Sequence, residues 1–368
     1  MSSSAKKEKT HKKSVFQPPN FSTIPLIDRL LDAGEQHLRK RGFLRVTVPR
    51  IVPASGSCEN VDTLFEVYVG GQAHWFQVLP EGKSEKPKKK RVYFAQTGQL
   101  YLESLLGKGG FEKLYCLGPS ARAEGKVDTR HLTEFEMVEI EFRGTFPQLL
   151  AEIELYIGAL VKSVLAVDPR QRKRLGLPTS LSHLEKHPAI FPKLNYAEAI
   201  RELGLTWGDD ISSAGEQELI RNHGGGPIFI IRYPNPESEK MKKILAKSTD
   251  KKAIKFFNMQ SDPADPDHVL SADCIVPYGG ECVGSAARVW QYEEFKQRLF
   301  SSLMFKRLKE KDPEAKLGFA WYLDMLKTYP SVPHAGCGFG QSRIFQYLLA
   351  EPDITKAVTF PSNRQRVY

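Results

Sequence analysis

The chain has 368 residues, 41% hydrophobic and 26% charged, an ordinary globular composition with ample material for a core. Its 53 basic and 43 acidic side chains leave a net charge of +10, enough to attract a polyanion or ATP without saying which. Nothing reads as a membrane-spanning run or a secretory leader, and the five cysteines (Cys58, Cys116, Cys274, Cys282, Cys337) are odd in number with no Cys-X-X-Cys spacing. A reduced cytoplasmic setting without structural zinc or membrane contact is the expectation.

Residues 1–19 are polar, lysine-rich and aperiodic, which predicts a disordered basic tail. From Ser22 to Gly42 the apolar residues Ile24, Ile27, Leu30, Leu31 and Leu38 recur at helical spacing. Ser22 can cap the start, and Arg39-Lys40-Arg41 suits the negative end of the helix dipole. Phe43–Val48, Phe65–Val69, His74–Leu79, Arg91–Ala95 and Lys113–Gly118 are short and rich in β-branched or aromatic residues, so they read as strands. Phe135–Phe142 alternates Met137, Glu139 and Glu141 with Val138, Ile140 and Phe142, a strand with two different faces. Phe146–Ala166 reads as a helix, capped by Thr145, with Pro147 in its first turn and a stop near Val167-Asp168-Pro169.

Pro227–Pro234 reads as a buried strand and Gln291–Lys311 as one helix. Between them the insert Asn235–Ala253 reads as a charged loop. The basic excess falls in Lys6–Lys13, Lys83–Arg91, Arg170–Arg174 and Lys240–Lys252, with no interleaved aromatics, which favours solvated tails and loops over a nucleic-acid groove. Pro87-Lys-Lys-Lys-Arg91 reads first as a hairpin tip and only second as an import signal. Strands and helices alternate without a regular βαβ repeat, so the fold class is α+β, with residues 20–368 as a single domain.

Three separated pieces carry the chemistry: Arg122-Ala-Glu124, Arg130-His131-Leu132-Thr133-Glu134-Phe135, and Gly336-Cys-Gly-Phe-Gly340-Gln-Ser-Arg343. The last is glycine-rich but lacks the Gly-Lys-Ser/Thr ending of a phosphate loop. Guanidinium forks, rather than backbone amides, would hold a triphosphate. Alone, Phe135 reads as a core aromatic, Arg130-His131 as a surface loop, and Asp273 with Glu281 as carboxylates on a hairpin. Only the joint match of these pieces and their flanks to one family overrides those readings.

With its flanks, Leu114–Glu124, Arg130–Phe135 and Glu139-Ile140-Glu141, the centre of the chain resembles the second signature of class II aminoacyl-tRNA synthetases, in the aspartyl/asparaginyl branch. Pro333–Arg343 resembles the third signature. The helix ending at Gly42 with Phe43–Val48 and Pro49 resembles the first, dimer-forming one. Ala95–Glu103, Ile254–Met259 and Gly280–Arg288 fill in the same catalytic domain, so the resemblance covers most of residues 20 to 368. It implies an antiparallel sheet flanked by helices, a homodimer, ATP as substrate and Mg2+ as cofactor.

The resemblance also implies roles. Arg122 would bridge the α-phosphate and the substrate carboxylate, and Arg343 would close over the nucleotide, as the catalytic pair. Arg130 and His131 would grip the outer phosphates, Phe135 would stack on adenine, and Glu124 would approach the base or the substrate amine. Asp273 and Glu281 would hold magnesium, Glu281 at the nucleotide. Glu59 would meet the α-ammonium, Gln96 would line the same floor, and Arg288 would read the side-chain end. Where aspartyl enzymes carry a lysine this chain has Leu102 followed by Glu103, as in asparaginyl enzymes, so asparagine is favoured over aspartate.

Two departures stand out. Ser342 replaces the usual glutamate before the last arginine, as in ammonia-dependent asparagine synthetases, and Asn60-Val61 replaces a Gly-Gly pair beside Glu59. Only about twenty residues precede the first signature, below the size of a domain, so an anticodon reader and specific tRNA binding are not expected. The expected function is ATP-dependent activation of asparagine, with release of AMP and pyrophosphate, for an acceptor other than a decoded tRNA. The alternatives are asparagine synthesis from aspartate and ammonia, side-chain amide adenylation and dehydration to a nitrile, and a non-catalytic synthetase-like module.

Overall fold

The computed structural model describes residues 19–368 apart from 57–58, 71–75, 79–87, 109 and 368. The expected basic tail therefore lies, up to residue 18, outside the described residues, as does Cys58. Eight strands form the main sheet: Leu44–Arg45 (β1), Lys113–Ala121 (β2), Glu134–Arg143 (β3), Lys193–Asn195 (β4), Ile228–Ile231 (β5), Ser271–Val276 (β6), Gly280–Ala287 (β7) and His334–Gly340 (β8). Their spatial order is β1-β2-β3-β8-β7-β6-β5-β4. The six central strands are antiparallel throughout, and one short parallel strand joins each edge.

The helices used below are Ile24–Lys40 (α1), Gln99–Lys108 (α2), Phe146–Leu165 (α3), Ser213–Asn222 (α4), Glu239–Leu245 (α5), Tyr292–Ser301 (α6), Leu303–Lys311 (α7), Ala315–Thr328 (α8) and Gln341–Leu349 (α9). The alternation in β3 decides how they are placed. Val138, Ile140 and Phe142 join a core with Leu30 and Leu38 of α1, Leu149, Ile153 and Ile157 of α3, and Ile344 and Leu348 of α9. Met137, Glu139 and Glu141 are left facing the other side, where they line a cleft. Burying apolar area at roughly 25 cal/mol per Å² drives the first face together, while the carboxylates are kept near polar partners. A second core gathers α6, α7 and α8 with Phe257, Leu100 and Val61, and Val61 with Leu303, Met304 and Arg307 of α7 reaches the same cleft.

Several boundaries differ from expectation for identifiable reasons. Helix α1 starts at Ile24, behind a 3₁₀ turn Phe21–Thr23, so Ser22 is not its cap; Gly42 ends it with φ +84° as a left-handed residue must. The strand expected at Phe43–Val48 is only Leu44–Arg45, and Phe65–Val69 pairs through isolated bridges such as Glu66 with Tyr93. Arg91–Ala95 shortens to Tyr93–Phe94, and the His74–Leu79 expectation is represented by Phe76–Val78. Lys88–Lys90 pairs with Phe76–Val78, so this basic run is a strand rather than the hairpin tip. The strand expected over Pro227–Pro234 stops at Ile231 because Arg232 adopts φ +60°.

The helix expected over Gln291–Lys311 is two helices, α6 and α7. Ser302 between them is extended and its Oγ accepts the Phe305 N–H at 3.0 Å, a cap inside an unbroken helical period. The insert Asn235–Ala253 is not a plain loop either. Ser238 caps α5, whose Met241 is fully buried.

Candidate active site

Side chains from β3, β6, β7 and β8 and from the segment between β2 and β3 converge on one cleft of about 750 Å³, which brings together Glu59, Arg122, Glu124, Arg130, His131, Phe135, Asp273, Glu281, Arg288 and Arg343. Arg122 follows β2 directly, and its N–H donates to the Thr133 carbonyl at 2.8 Å, tying the strand end to the loop before β3. Its guanidinium stands 5.5 Å from the Phe135 ring centroid, and its buried Nε has no hydrogen-bond partner. An arginine held against an aromatic face with an unspent donor is prepared for an anion.

Asp128 shapes the loop that carries the next two cations. Its Oδ1 accepts the Arg130 and His131 N–H groups at 2.9 and 3.0 Å, and its carboxylate also faces His131 Nδ1 at 2.8 Å. Arg130 Nη2 donates to Glu216 Oε2 of α4 at 2.9 Å. That pair requires Gly280, which has φ +66°, and a Cβ there would fall 2.4 Å from both Arg130 Nη2 and Glu216 Oε2. Arg343, in the first turn of α9, donates to the Glu281 carbonyl at 2.5 Å.

Asp273 on β6 lies opposite Gly284 on β7, and Glu281 Oε1 overhangs Gly284, 3.5 Å from where a Cβ would stand. The two carboxylates therefore share one face. Burial pushes the Asp273 pKa up and the Glu281 charge adds to the rise, against Lys255. Burial acts on Glu281 too, but Lys255, Arg343, Arg122 and Arg130 outweigh it and hold that acid below its ordinary value. Hard oxygen donors lodged under a ring of cations fit a divalent ion such as Mg2+ that arrives with phosphates.

Lys255 was missed by sequence reasoning. Its Nζ lies 2.5 Å from Asp273 Oδ2 and 3.7 Å from the Tyr233 ring centroid. The signal was a lone charge between Ile254 and Phe256-Phe257. Asp210 and Glu216, also beside Glu281, had no signal, because each sits in a polar stretch that reads as surface; burial raises both of their pKa values.

At the amino-acid end two expectations need correction. Gln96 does not line the cleft. It is fully buried, and its amide donates to the Asn60 and Thr63 carbonyls at 3.0 and 3.1 Å and accepts the Asn60 N–H at 2.9 Å, pinning the turn next to Glu59. Glu103 is fully buried behind the cleft as well. Its oxygens accept from Gln99 (2.5 Å), Asn258 (2.9 Å) and Tyr322 (2.9 Å), 3.3 Å from His334 Nε2 and 3.9 Å from Arg288 Nε. Helical register put Glu103 on the inward face of α2, but only packing reveals how many donors surround it.

The cleft floor is instead Glu139 and Glu141 of β3. Glu139 accepts the Gly98 N–H at 2.6 Å and the Thr97 hydroxyl; Glu141 Oε1 lies 3.4 Å from Arg288 Nε, and Arg288 Nη2 donates to the Gly336 carbonyl at 3.1 Å. Gly336 of β8 makes room for Glu141, and Gly338 makes room for the Met137 methyl. Gly336 pairs with Glu141 and Gly338 with Glu139. A Cβ at 336 would fall 2.0 Å from Glu141 Oε2 and 2.4 Å from the Ile140 carbonyl. The glycine-rich segment is thus a strand that clears space, not a phosphate loop. Gly336→Ala is expected to lower unfolding stability by about 1–3 kcal/mol or more, since the backbone must shift. A urea denaturation midpoint equal to the parent's would refute that crowding.

Among the departures, Ser342 is buried and lines the cleft beside Arg343. Asn60 caps the turn Val61–Thr63 by accepting the Asp62 N–H at 3.0 Å, and Asp62 pairs with Arg307 and with Lys311 of α7. The four described cysteines, Cys116, Cys274, Cys282 and Cys337, are buried and free. No helix among the described residues is long and apolar enough to cross a membrane.

The model of the family described as tRNA synthetases class II (D, K and N) matches residues 15–364. An asparagine–tRNA ligase of Pelotomaculum thermopropionicum is 32% identical over 354 residues, which cover 94% of this chain and 70% of that protein. Asparaginyl-tRNA synthetase from Pyrococcus horikoshii complexed with asparaginyl-adenylate superposes with a TM-score of 0.73 at 29% identity, over 95% of this chain and 70% of that one. The Entamoeba histolytica enzyme, also with asparaginyl-adenylate, gives 0.71 at 25% identity, over 95% and 68%. Fold, cleft and sequence agree, and the chain belongs to the class II tRNA synthetases of the D, K and N group, a family of ATP-dependent ligases.

Proposed function

We propose that this chain activates asparagine with ATP to form asparaginyl-adenylate. The observation that carries the reading is the meeting of Arg122, Arg130, His131 and Arg343 with the Asp273–Glu281 acid pair in one cleft whose other end is Arg288 and Glu141. An oxygen of the substrate α-carboxylate attacks the α-phosphorus, the bond to the β-phosphate bridging oxygen breaks, and pyrophosphate leaves. Charge accumulates on phosphate oxygens, so Arg122 and Arg343 act by placing positive charge where it develops. Arg130 and His131 orient the outer phosphates, Phe135 offers a face to adenine, and Glu124 lies within reach of the base or the amine. Asp273 and Glu281 would hold Mg2+, which neutralises phosphate charge when bound. Glu59 and Glu139 supply negative charge for the α-ammonium.

The reading includes adenylation without tRNA, an acceptor other than a decoded tRNA and a cytoplasmic setting. A homodimer is read from exposed apolar residues: Leu44 on the edge strand β1, and Ile51 and Phe94, which pair with one another. Ser342 in the cleft favours a second reading, asparagine synthesis from aspartate and ammonia.

Incubation with ATP, Mg2+ and each amino acid, resolved by mass, separates these readings. Asparagine-dependent AMP and pyrophosphate formation without tRNA is the expected result. Aspartate consumption that requires ammonia would replace it with the second reading, a nitrile product would place the chemistry on the side chain, and no turnover at all would leave a non-catalytic module.

A further inference from the structure

The insert Asn235–Ala253 is anchored at both ends, and its far end reaches the cleft. At its start Asn235 Nδ2 donates to Ser261 Oγ at 3.1 Å and to the Pro266 carbonyl at 2.9 Å, while Glu237 Oε2 accepts the Ser301 hydroxyl of α6 at 2.6 Å. Helix α5 then packs on the turn that holds Trp207 and Gly208. Lys240 Nζ stands 3.8 Å from the Trp207 ring centroid. Gly208, at φ +100°, leaves room for Ile244, whose Cδ1 a Cβ there would meet at 3.2 Å.

The chain returns along the same turn. The Ala253 N–H donates to the Gly208 carbonyl at 3.0 Å, and the Asp210 N–H to the Lys251 carbonyl at 2.8 Å. This short ladder carries Lys252, Ala253, Ile254 and Lys255 into the cleft wall together with Asp210. Asp210 is close enough to Lys255 and Glu281 for both to act on its charge, and Lys255 Nζ is 2.5 Å from Asp273 Oδ2. The insert therefore ends beside the Asp273–Glu281 acid pair.

Other cations at this end are already engaged: Arg130 with Glu216, Lys255 with Asp273, and Arg343 with the Glu281 carbonyl. Lys252 is held by the Asp209 carboxylate, in an ion pair whose two side chains are still 21% and 24% exposed. Little is lost when such a pair opens, because water already helps to solvate both charges. A lysine is a compact charge on a flexible four-carbon stem with three donors, so it can leave a carboxylate for a phosphate without a backbone shift. Asp209 keeps a partner when it does, since its Oδ2 also accepts the Thr206 N–H at 3.0 Å. We propose that Lys252, brought to the cleft by the insert, is a further binding residue for the outer phosphates of ATP and leaves Asp209 for them when nucleotide enters. The proposal rests on the reading that this cleft holds ATP, and is indifferent to which amino acid is activated.

The test is calorimetric titration of the full chain with ATP, pyrophosphate and AMP, each with Mg2+ and without amino acid. Lys252→Ala is expected to raise Kd for ATP and for pyrophosphate by about ten-fold, while AMP changes by less than about two-fold. Asp209→Asn keeps an acceptor for the Thr206 N–H and removes the charge that holds Lys252, so its ATP affinity is expected to equal or exceed the parent's. An ion pair that only fastened the insert would make both variants weaken all three ligands alike, and that result overturns the proposal, as does parent-level ATP and pyrophosphate binding in Lys252→Ala. In the unaltered chain, acetylation of Lys252 by acetic anhydride, read by peptide mass, is expected to slow with ATP or pyrophosphate and not with AMP. An unchanged rate overturns the proposal even where a variant fails to fold. Absence of ATP binding by the parent removes the nucleotide reading and the proposal with it, whereas ATP binding without asparagine-dependent exchange removes only the choice of amino acid.

Discussion

Replacing Arg122 by alanine is expected to cut asparagine-dependent ATP–pyrophosphate exchange by about 10³-fold, or about 4 kcal/mol of transition-state stabilisation. The magnitude follows from where the guanidinium sits. It is positioned by the end of β2 and by the Phe135 ring, and its Nε is not spent on any protein acceptor. Its hydrogen-bonding capacity is thus available for phosphate and carboxylate oxygens, and no other side chain at that place can replace a planar fork. The fold loses little, because what is given up is one cation–π pair worth about 1 kcal/mol and one of the four cations beside Glu281. Arg122→Lys should fall between, keeping charge but not the two-pronged geometry. Circular dichroism together with exchange assays reads both parts; parent-level exchange in Arg122→Ala would remove this residue from the mechanism.

Arg288→Met should act on stability as much as on chemistry. Arg288 is 4% exposed and is the cation shared between Glu141 at 3.4 Å and Glu103 at 3.9 Å. Removing one member of a buried charged group costs about 3–5 kcal/mol, because the remaining charge has no solvent. Loss of amino-acid activation should accompany it. The pH dependence has a definite sign. Glu141 has a folded pKa of about 7 against an ordinary value of 4.5, so the folded state holds that proton more tightly than the unfolded chain. Stability associated with it is present at low pH and is lost as pH rises through that interval. Without Arg288 the folded value moves further up, so the variant's denaturation midpoint should fall more steeply with pH than the parent's. Parallel midpoint-versus-pH curves for the two proteins would contradict the shared-cation account.

Helix α3 and strand β3 show what local pattern can reveal. Thr145, Pro147 and Pro169 bound α3 through chemistry within a few residues of each end, and the period-two alternation of β3 marked two different faces before any partner was known. The break at Ser302 was hidden because its cap lies inside a continuous helical period, where the apolar spacing of α6 runs on into α7. Likewise Lys255 was readable as an odd charge in an apolar run, whereas nothing near Asp210 or Glu216 set them apart from surface acids.

From the residues alone came the α+β class, the two-faced alternation of β3, and the candidate cations Arg122, Arg130 and Arg343, because periodicity, caps and motif spacing are properties of neighbours along the chain. Only tertiary packing decided that Gln96 and Glu103 stand behind the cleft while Glu139 and Glu141 floor it, and that Gly336 of β8 is space for Glu141. Whether a carboxylate meets substrate or protein depends on which donors surround it from strands and helices distant in sequence, and that is set by register across the sheet rather than by any local signal.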